Sequence, residues 1–169
     1  RPQGFATLMQ AIVGQQVSVA SAAAIWDRLD AAGLTGAEAV AGAEDAALLG
    51  CGLSRPKLRY VKALAGAGVE YAALARLPTG EVVTTLTEIP GIGRWTAEIY
   101  VLTALGRADA FAAGDLALQE AARMLYGLPE RPKETTLRAM AADWSPWSAV
   151  AARLLWAYYA HEKQREGTL

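Results

Sequence analysis

Leu86-Thr87-Glu88-Ile89-Pro90-Gly91-Ile92-Gly93-Arg94-Trp95-Thr96-Ala97 is the stretch on which the reading of this chain turns. It predicts the end of one helix, a tight Pro-Gly-Ile-Gly turn, and a second helix from Arg94 to Leu105. Gly91 and Gly93 suit a turn that needs φ > 0 and leaves backbone amides uncovered. Those amides precede the second helix, at the positive end of its dipole, where a phosphate is the natural guest. A tight turn between two helices with no ligand has the same spacing, so the turn alone leaves both readings open.

Around this turn the chain reads as helical almost throughout, because alanine is abundant and no segment sustains period-two alternation. Helices are expected near Phe5 to Val13, Val17 to Ala32, Ala37 to Ala41, Ala43 to Leu49, Arg55 to Ala67 and Tyr71 to Ala75. Others follow near Thr79 to Thr87, Arg94 to Leu105, Leu116 to Leu125, Lys133 to Ala142 and Pro146 to Glu166. Ser18 or Ser21, and Ser54, supply N-terminal signals, with Pro56 acceptable in a first turn. Gly33, Gly68, Gly106 and Gly127 are stops. In the second hairpin helix, Trp95, Ile99, Leu102 and Leu105 fall at 3–4 spacing and predict its buried face. The last helix turns polar after Ala160 and is expected to fray at its end.

Composition narrows the function classes. The chain has 169 residues, enough to bury a substantial core, and 16 Lys and Arg against 17 Asp and Glu, for a net charge of −1. With a pI near 5.9 there is no global basic field, so any nucleic-acid contact must come from local groups and backbone amides, with a modest salt slope. The single cysteine, Cys51, excludes a disulfide framework and a cysteine-ligated iron–sulfur cluster within this chain, and the single histidine, His161, excludes a His-rich metal site or a Ser-His-Asp triad. His161 reads as an exposed helix residue. No apolar run is long enough to span a bilayer and no signal peptide is visible, which points to an intracellular, cytoplasmic protein without a membrane partner. The chain begins at Arg1, without methionine, which leaves room for a missing N-terminal segment.

The second informative patch is Ala110-Phe111-Ala112-Ala113-Gly114-Asp115-Leu116-Ala117-Leu118-Gln119. Asp115 opens a predicted helix and occupies an N-cap position. A cap and nothing more is one reading. The other uses the same geometry: a carboxylate held by helix N-terminal amides stays ionised at neutral pH, and an anion fixed there suits a developing positive charge. Glycosidic cleavage makes such a charge on an oxocarbenium-like sugar.

Taken together, these segments carry a family resemblance. Leu86 to Ala97 resembles the helix-hairpin-helix, a DNA-backbone clamp. A Pro-Gly-Ile-Gly hairpin followed by a helix-opening aspartate resembles the helix-hairpin-helix DNA glycosylase superfamily. Ala11-Ile12-Val13-Gly14-Gln15-Gln16-Val17-Ser18 is similar to that family's Ile-x-Gly-Gln-Gln-x-Ser segment, and Gly52-Leu53-Ser54-Arg55-Pro56-Lys57 to its Gly-Leu-Ser-x-x-Lys element. Trp144-Ser145-Pro146-Trp147, leading into Leu154-Leu155-Trp156, resembles the C-terminal end of the DNA-3-methyladenine glycosylase II, or alkylation-repair, branch. The resemblance implies an all-α fold of two packed helical lobes with a cleft between them. It makes 1–169 one glycosylase domain, with the hairpin at 80–105 and the catalytic helix starting near 115.

What the resemblance implies about chemistry is specific. Bifunctional members carry a catalytic lysine where this chain has Trp95, which cannot form a Schiff base, so a monofunctional enzyme is expected. Asp115 is implied as the catalytic group, stabilising the sugar cation or orienting water. Gly91 and Gly93, with Thr96 and with Arg94 at the helix start, are implied to hold DNA phosphate. The carbonyls of Thr87, Ile89 and Gly91 are implied as ligands of a monovalent cation, Na or K, or else are ordinary helix termination. No other cofactor is implied. Gln16 matches the residue that fills the stack vacated by a flipped nucleotide; some relatives have leucine there.

Trp95 and Trp156 match aromatic positions of the base pocket, where indole stacking favours a cationic alkylated purine by roughly 0.5–2 kcal/mol. Ile99, Leu116 and Ala157 stand where the best-known relatives have tyrosines, implying a roomier pocket. Trp144 and Trp147 are expected as buried scaffold. The implied partner is double-stranded DNA with 3-methyladenine- or 7-methylguanine-type bases, and the implied state a monomer. Neutral lesions would need help at the leaving base, which neither Asp109 nor Glu98 clearly supplies; both read as solvated helix-end charges. Arg55, Lys57, Arg59 and Lys62 form either a DNA-facing strip or a solvated face. Two other classes stay open: a non-catalytic helix-hairpin-helix DNA-binding module, and a helical scaffold whose glycines only make turns.

Overall fold

The computed structural model describes residues 1–166, with side chains described to residue 164. Eleven helices are assigned among them: α1 (Phe5–Gly14), α2 (Val19–Ala31), α3 (Ala37–Gly42), α4 (Asp45–Gly50), α5 (Arg55–Gly66), α6 (Tyr71–Leu74), α7 (Thr79–Thr87), α8 (Arg94–Thr103), α9 (Leu116–Tyr126), α10 (Glu134–Ala142) and α11 (Ser148–Glu166). No strand occurs among the described residues, as expected of an all-α chain. None of the described helices is long and apolar enough to cross a membrane.

The boundaries follow local chemistry. Ser18 begins α2 by accepting from the Ser21 N–H at 3.1 Å, and Ser54 begins α5 with Pro56 in its first turn. Gly127 closes α9 in the left-handed region, φ 62°, with its N–H donating to the Arg123 carbonyl. α11 runs continuously to Glu166; the chain end, where fraying is expected, lies outside the described residues.

The chain divides into two compact units, Arg1–Tyr100 and Val101–Leu169, with the division inside α8. In the first, α1 packs on α2 and α5, and α3 and α4 also pack on α5. Its core is Leu8, Met9, Ile12, Leu29, Val40, Leu48, Val61, Val82 and Leu86, each with no more than 0% of its surface exposed. Burying one such side chain stabilises the fold by roughly 1.5–3 kcal/mol. The Gly4 N–H donates to Tyr100 Oη at 2.9 Å, which ties the start of the chain to α8. In the second unit, α9 packs on α11 and α10, and the rings of Phe111 and Trp144 meet edge to face at 5.3 Å.

Two expectations about burial are corrected. The buried side of α8 is Thr96, Ala97, Tyr100 and Val101, together with Leu102; Trp95 is 45% exposed and Ile99 and Leu105 are only half-buried. The Trp95-Ile99-Leu102-Leu105 stripe is rotated from the true inner face because small Ala97 and the anchored Tyr100, not the largest apolar residues, set the packing. Trp147 is 62% exposed rather than buried scaffold, while Trp144 is half-buried against Phe111. His161 is exposed, as expected.

Candidate functional site

The hairpin joins α7 to α8 as the sequence suggests, but its two glycines serve different ends. Gly91 has φ 91°, and a Cβ there would lie 2.4 Å from Cγ of the Tyr60 ring on α5. Conformation and close approach both require glycine. Gly93 is not in the positive-φ region, contrary to expectation, and a Cβ on it would meet nothing within 4 Å. It is exposed, and its carbonyl accepts the Ala97 N–H at 3.1 Å, which makes it the residue at the mouth of α8. Among the described residues nothing crowds position 93, so the turn is open there.

The neighbouring hairpin residues are placed as follows. Thr96 is buried, so it stands behind the turn rather than on its surface. Arg94 Nε pairs with Glu98 Oε1 at 2.9 Å, with the Arg94 side chain 59% exposed and that of Glu98 only 7%. Glu98 is therefore not a solvated helix-end charge but the buried partner that orients an exposed arginine. Of the carbonyls implied as cation ligands, Ile89 accepts the Ile92 N–H at 3.0 Å and Gly91 accepts Gln15 Nε2 at 2.9 Å. Each carbonyl keeps a second lone pair, so a hard monovalent cation fits the donor set. Among the described residues no group of three His, Cys, Asp or Glu side chains stands ready to hold a metal.

Beside the hairpin, in the same unit, is a cavity of about 650 Å³ lined by Gly14, Gln15, Gln16, Trp95, Thr96 and Ile99, among others. That volume is within the range of small-molecule sites. Gln16 and Trp95, predicted separately as stack-filling and base-pocket residues, are thus brought to one cavity. Gln16 is exposed at the tip of the α1–α2 turn and has φ 57°, the one non-glycine residue with positive φ among those described.

Asp115 lies in the second unit. Asp115 caps α9, with Oδ1 accepting the Ala117 and Leu118 N–H groups at 3.0 Å each. The indole Nε1–H of Trp156, on α11, donates to the same oxygen at 3.2 Å. The cap was legible in the sequence; the indole tie was not, since the two residues are 41 positions apart. Trp156 was expected through its ring face, and its edge also orients Asp115. Leu116 is 61% exposed and Ala157 is exposed.

Three further residues have roles the sequence did not disclose. Asp109 accepts from Ser145 Oγ at 2.7 Å and Ser148 Oγ at 2.5 Å, and these hydroxyls hold its carboxyl below its usual pKa. It is an anchor for the start of α11, not a free helix-end charge. Lys57 is 8% exposed, and its Nζ donates to the Val13 carbonyl at 2.7 Å. Burial pushes its ammonium pKa down. Lys62 donates to the Ala43 carbonyl and pairs with Asp45 at 3.0 Å. A DNA-facing strip of Arg55, Lys57, Arg59 and Lys62 is therefore ruled out as a whole, with only Arg55 and Arg59 exposed.

A helical chain with an open Gly-x-Gly turn at a helix mouth, and a helix-capping aspartate pinned by an indole, falls in the helix-hairpin-helix class of DNA-binding proteins. Within that class, this chain belongs to the HhH-GPD superfamily, whose base excision DNA repair protein model matches residues 9–146. DNA-3-methyladenine glycosylase 1 of Schizosaccharomyces pombe is 28% identical over 165 residues, covering 92% of this chain and 72% of its own length. The crystal structure of DNA-3-methyladenine glycosidase from Bacillus halodurans superposes with a TM-score of 0.86 at 31% identity, over 97% of this chain and 79% of that one. The S. pombe 3-methyladenine DNA glycosylase Mag1, solved in complex with abasic DNA, gives 0.77 at 28% identity, over 90% and 78%.

Proposed function

We infer that this chain is a monofunctional DNA N-glycosylase that flips alkylated purines out of duplex DNA and cuts the bond between base and sugar. The observation that carries this reading is the Asp115 carboxylate, held at Oδ1 by two helix amides and the Trp156 indole. An oriented anion at a helix mouth stabilises an oxocarbenium-like sugar, or the water that attacks it, without having to reorganise during the reaction. Membership of a base excision repair family and the likeness to 3-methyladenine glycosylases support the same reading.

The steps divide among named residues. The backbone at Gly91 and Gly93, with Arg94, holds a phosphate beside the lesion at the positive end of α8. Thr87, Ile89 and Gly91 carbonyls would hold a monovalent cation, which adds positive charge for the same phosphate. Gln16 fills the gap left in the stack, and Trp95, which lines the same cavity, stacks on the electron-poor base. A cationic 3-methyladenine or 7-methylguanine leaves without protonation, so one carboxylate suffices and no general acid is needed. Trp95 in place of a lysine removes the nucleophile of strand-cutting relatives, so the backbone stays intact. The enzyme works as a monomer on the DNA of the cell.

The test is incubation with duplex DNA methylated at adenine N3 and guanine N7, measuring free base and strand integrity together. The expected result is released methylpurine with strands that break only on later alkaline treatment. DNA binding without release would favour the non-catalytic module, and immediate strand breakage would overturn the monofunctional assignment.

A further inference from the structure

Gln16 has a left-handed backbone conformation that is strained for a non-glycine residue, so something must hold the α1–α2 turn in place. Three ties converge on it. Lys57 Nζ reaches the Val13 carbonyl in the last turn of α1, Gln15 Nε2 reaches the Gly91 carbonyl in the hairpin, and Ser18 caps the start of α2. The residues between these ties, Gln16 and Val17, are exposed.

Lys57 is the least expected of the three. The hydrogen-bond partner of its ammonium is a backbone carbonyl, and a buried ammonium without a carboxylate is costly. Packing alone would be served better by methionine or leucine. Three positions further on the same helix, Tyr60 lies against Gly91 so closely that no Cβ fits. One face of α5 therefore supports the turn that carries Gln16 and the turn that carries the hairpin, while Gln15 links those turns directly.

We propose that Gln15 and Lys57 are positioning residues that hold Gln16 at a set distance from the phosphate-binding hairpin, so that the stack is filled where the flipped nucleotide left it. The proposal rests on the glycosylase reading and on the role given there to Gln16. Neither residue touches the reacting atoms; each acts through the turn.

The test compares single-turnover excision from two DNAs carrying one 7-methylguanine, a fully paired duplex and a duplex with the lesion in an unpaired bulge. The bulged base is already unstacked and needs no plug. Gln15→Met and Lys57→Met are expected to slow the paired substrate about tenfold or more while slowing the bulged one less than about threefold, the pattern of misplaced rather than missing chemistry. Gln16→Ala should show the same preference, and Lys57→Arg, which keeps a donor, should recover most of the paired-duplex rate. Equal losses on both substrates, or no loss on the paired one, overturn the proposal. Gln15→Met, at a half-buried position, keeps the test decisive if Lys57→Met fails to fold. A natural chain inactive on both DNAs overturns the glycosylase reading itself, and the proposal with it.

Discussion

Asp115→Asn separates the cap that this carboxylate makes from the catalytic task proposed for it. Asparagine is as good an N-cap as aspartate, and its Oδ1 can accept the Ala117, Leu118 and Trp156 N–H groups that Asp115 accepts now. What the substitution removes is the negative charge. For the fold, that costs about 0.3–1 kcal/mol of interaction with the α9 dipole. In a chain of this length such a loss lowers Tm by no more than about 2–4 °C. For catalysis, removal of a preorganised group facing transition-state charge costs about 2.7–4 kcal/mol, a factor of about 10²–10³. The assay is single-turnover release of 3-methyladenine from methylated duplex at saturating protein, beside a thermal melt of each variant. Asp115→Ala is the control for the cap. It loses about 1 kcal/mol of capping and strands a half-buried indole N–H, so it melts well below Asp115→Asn but is no less active. Release by Asp115→Asn within threefold of the natural chain would refute the role of the charge; a melt as low as that of the alanine variant would refute the separation.

Other expected outcomes test the surroundings of the site. Trp156→Phe keeps a ring but removes the donor at 3.2 Å from Asp115, and should slow excision by about three- to tenfold, equal to about 1 kcal/mol, with duplex affinity nearly unchanged. Gly91→Ala should destabilise the fold, since it meets both positive φ and the Tyr60 ring. Gly93→Ala, with open space around it, should melt normally yet bind duplex DNA more weakly in a mobility or anisotropy assay. The buried Tyr71 hydroxyl has no hydrogen-bond partner among the described residues, so Tyr71→Phe should raise stability, read as a higher Tm, by up to about 1–3 kcal/mol. Burial first, and Tyr100 second, push the Tyr71 pKa up to about 12. The unfolded tyrosine ionises near pH 10, so the natural chain should lose stability as pH rises from about 10 to 12, and Tyr71→Phe should lose less.

Helix number, order and most boundaries were legible in the sequence because they rest on near-neighbour chemistry. A serine hydroxyl reaches an amide three residues on, a glycine takes a left-handed angle at a helix end, and a proline fits a first turn. The Asp115 cap belongs to that class, since its amides are two and three residues away. The hairpin and the candidate residues around it were legible as a resemblance carried by short motifs in a particular order. What none of these could give is the partner of a long side chain or the inner face of a helix. Lys57 could have pointed to solvent, and it reaches a carbonyl 44 positions away. Asp109 reads as a solvated charge until two serines 36 and 39 positions away are placed beside it, and Glu98 until its helix face is buried. Helical spacing reads Trp95 as core while the resemblance puts it in a pocket; it lines a cavity, because the inner face of α8 is set by what packs against Ala97 and Tyr100. Local propensity and capping act over one or two turns, within reach of the sequence. Burial, and hydrogen bonds such as those of Lys57 to the Val13 carbonyl and of Trp156 to Asp115, depend on which distant segments meet, and only the tertiary structure decides that.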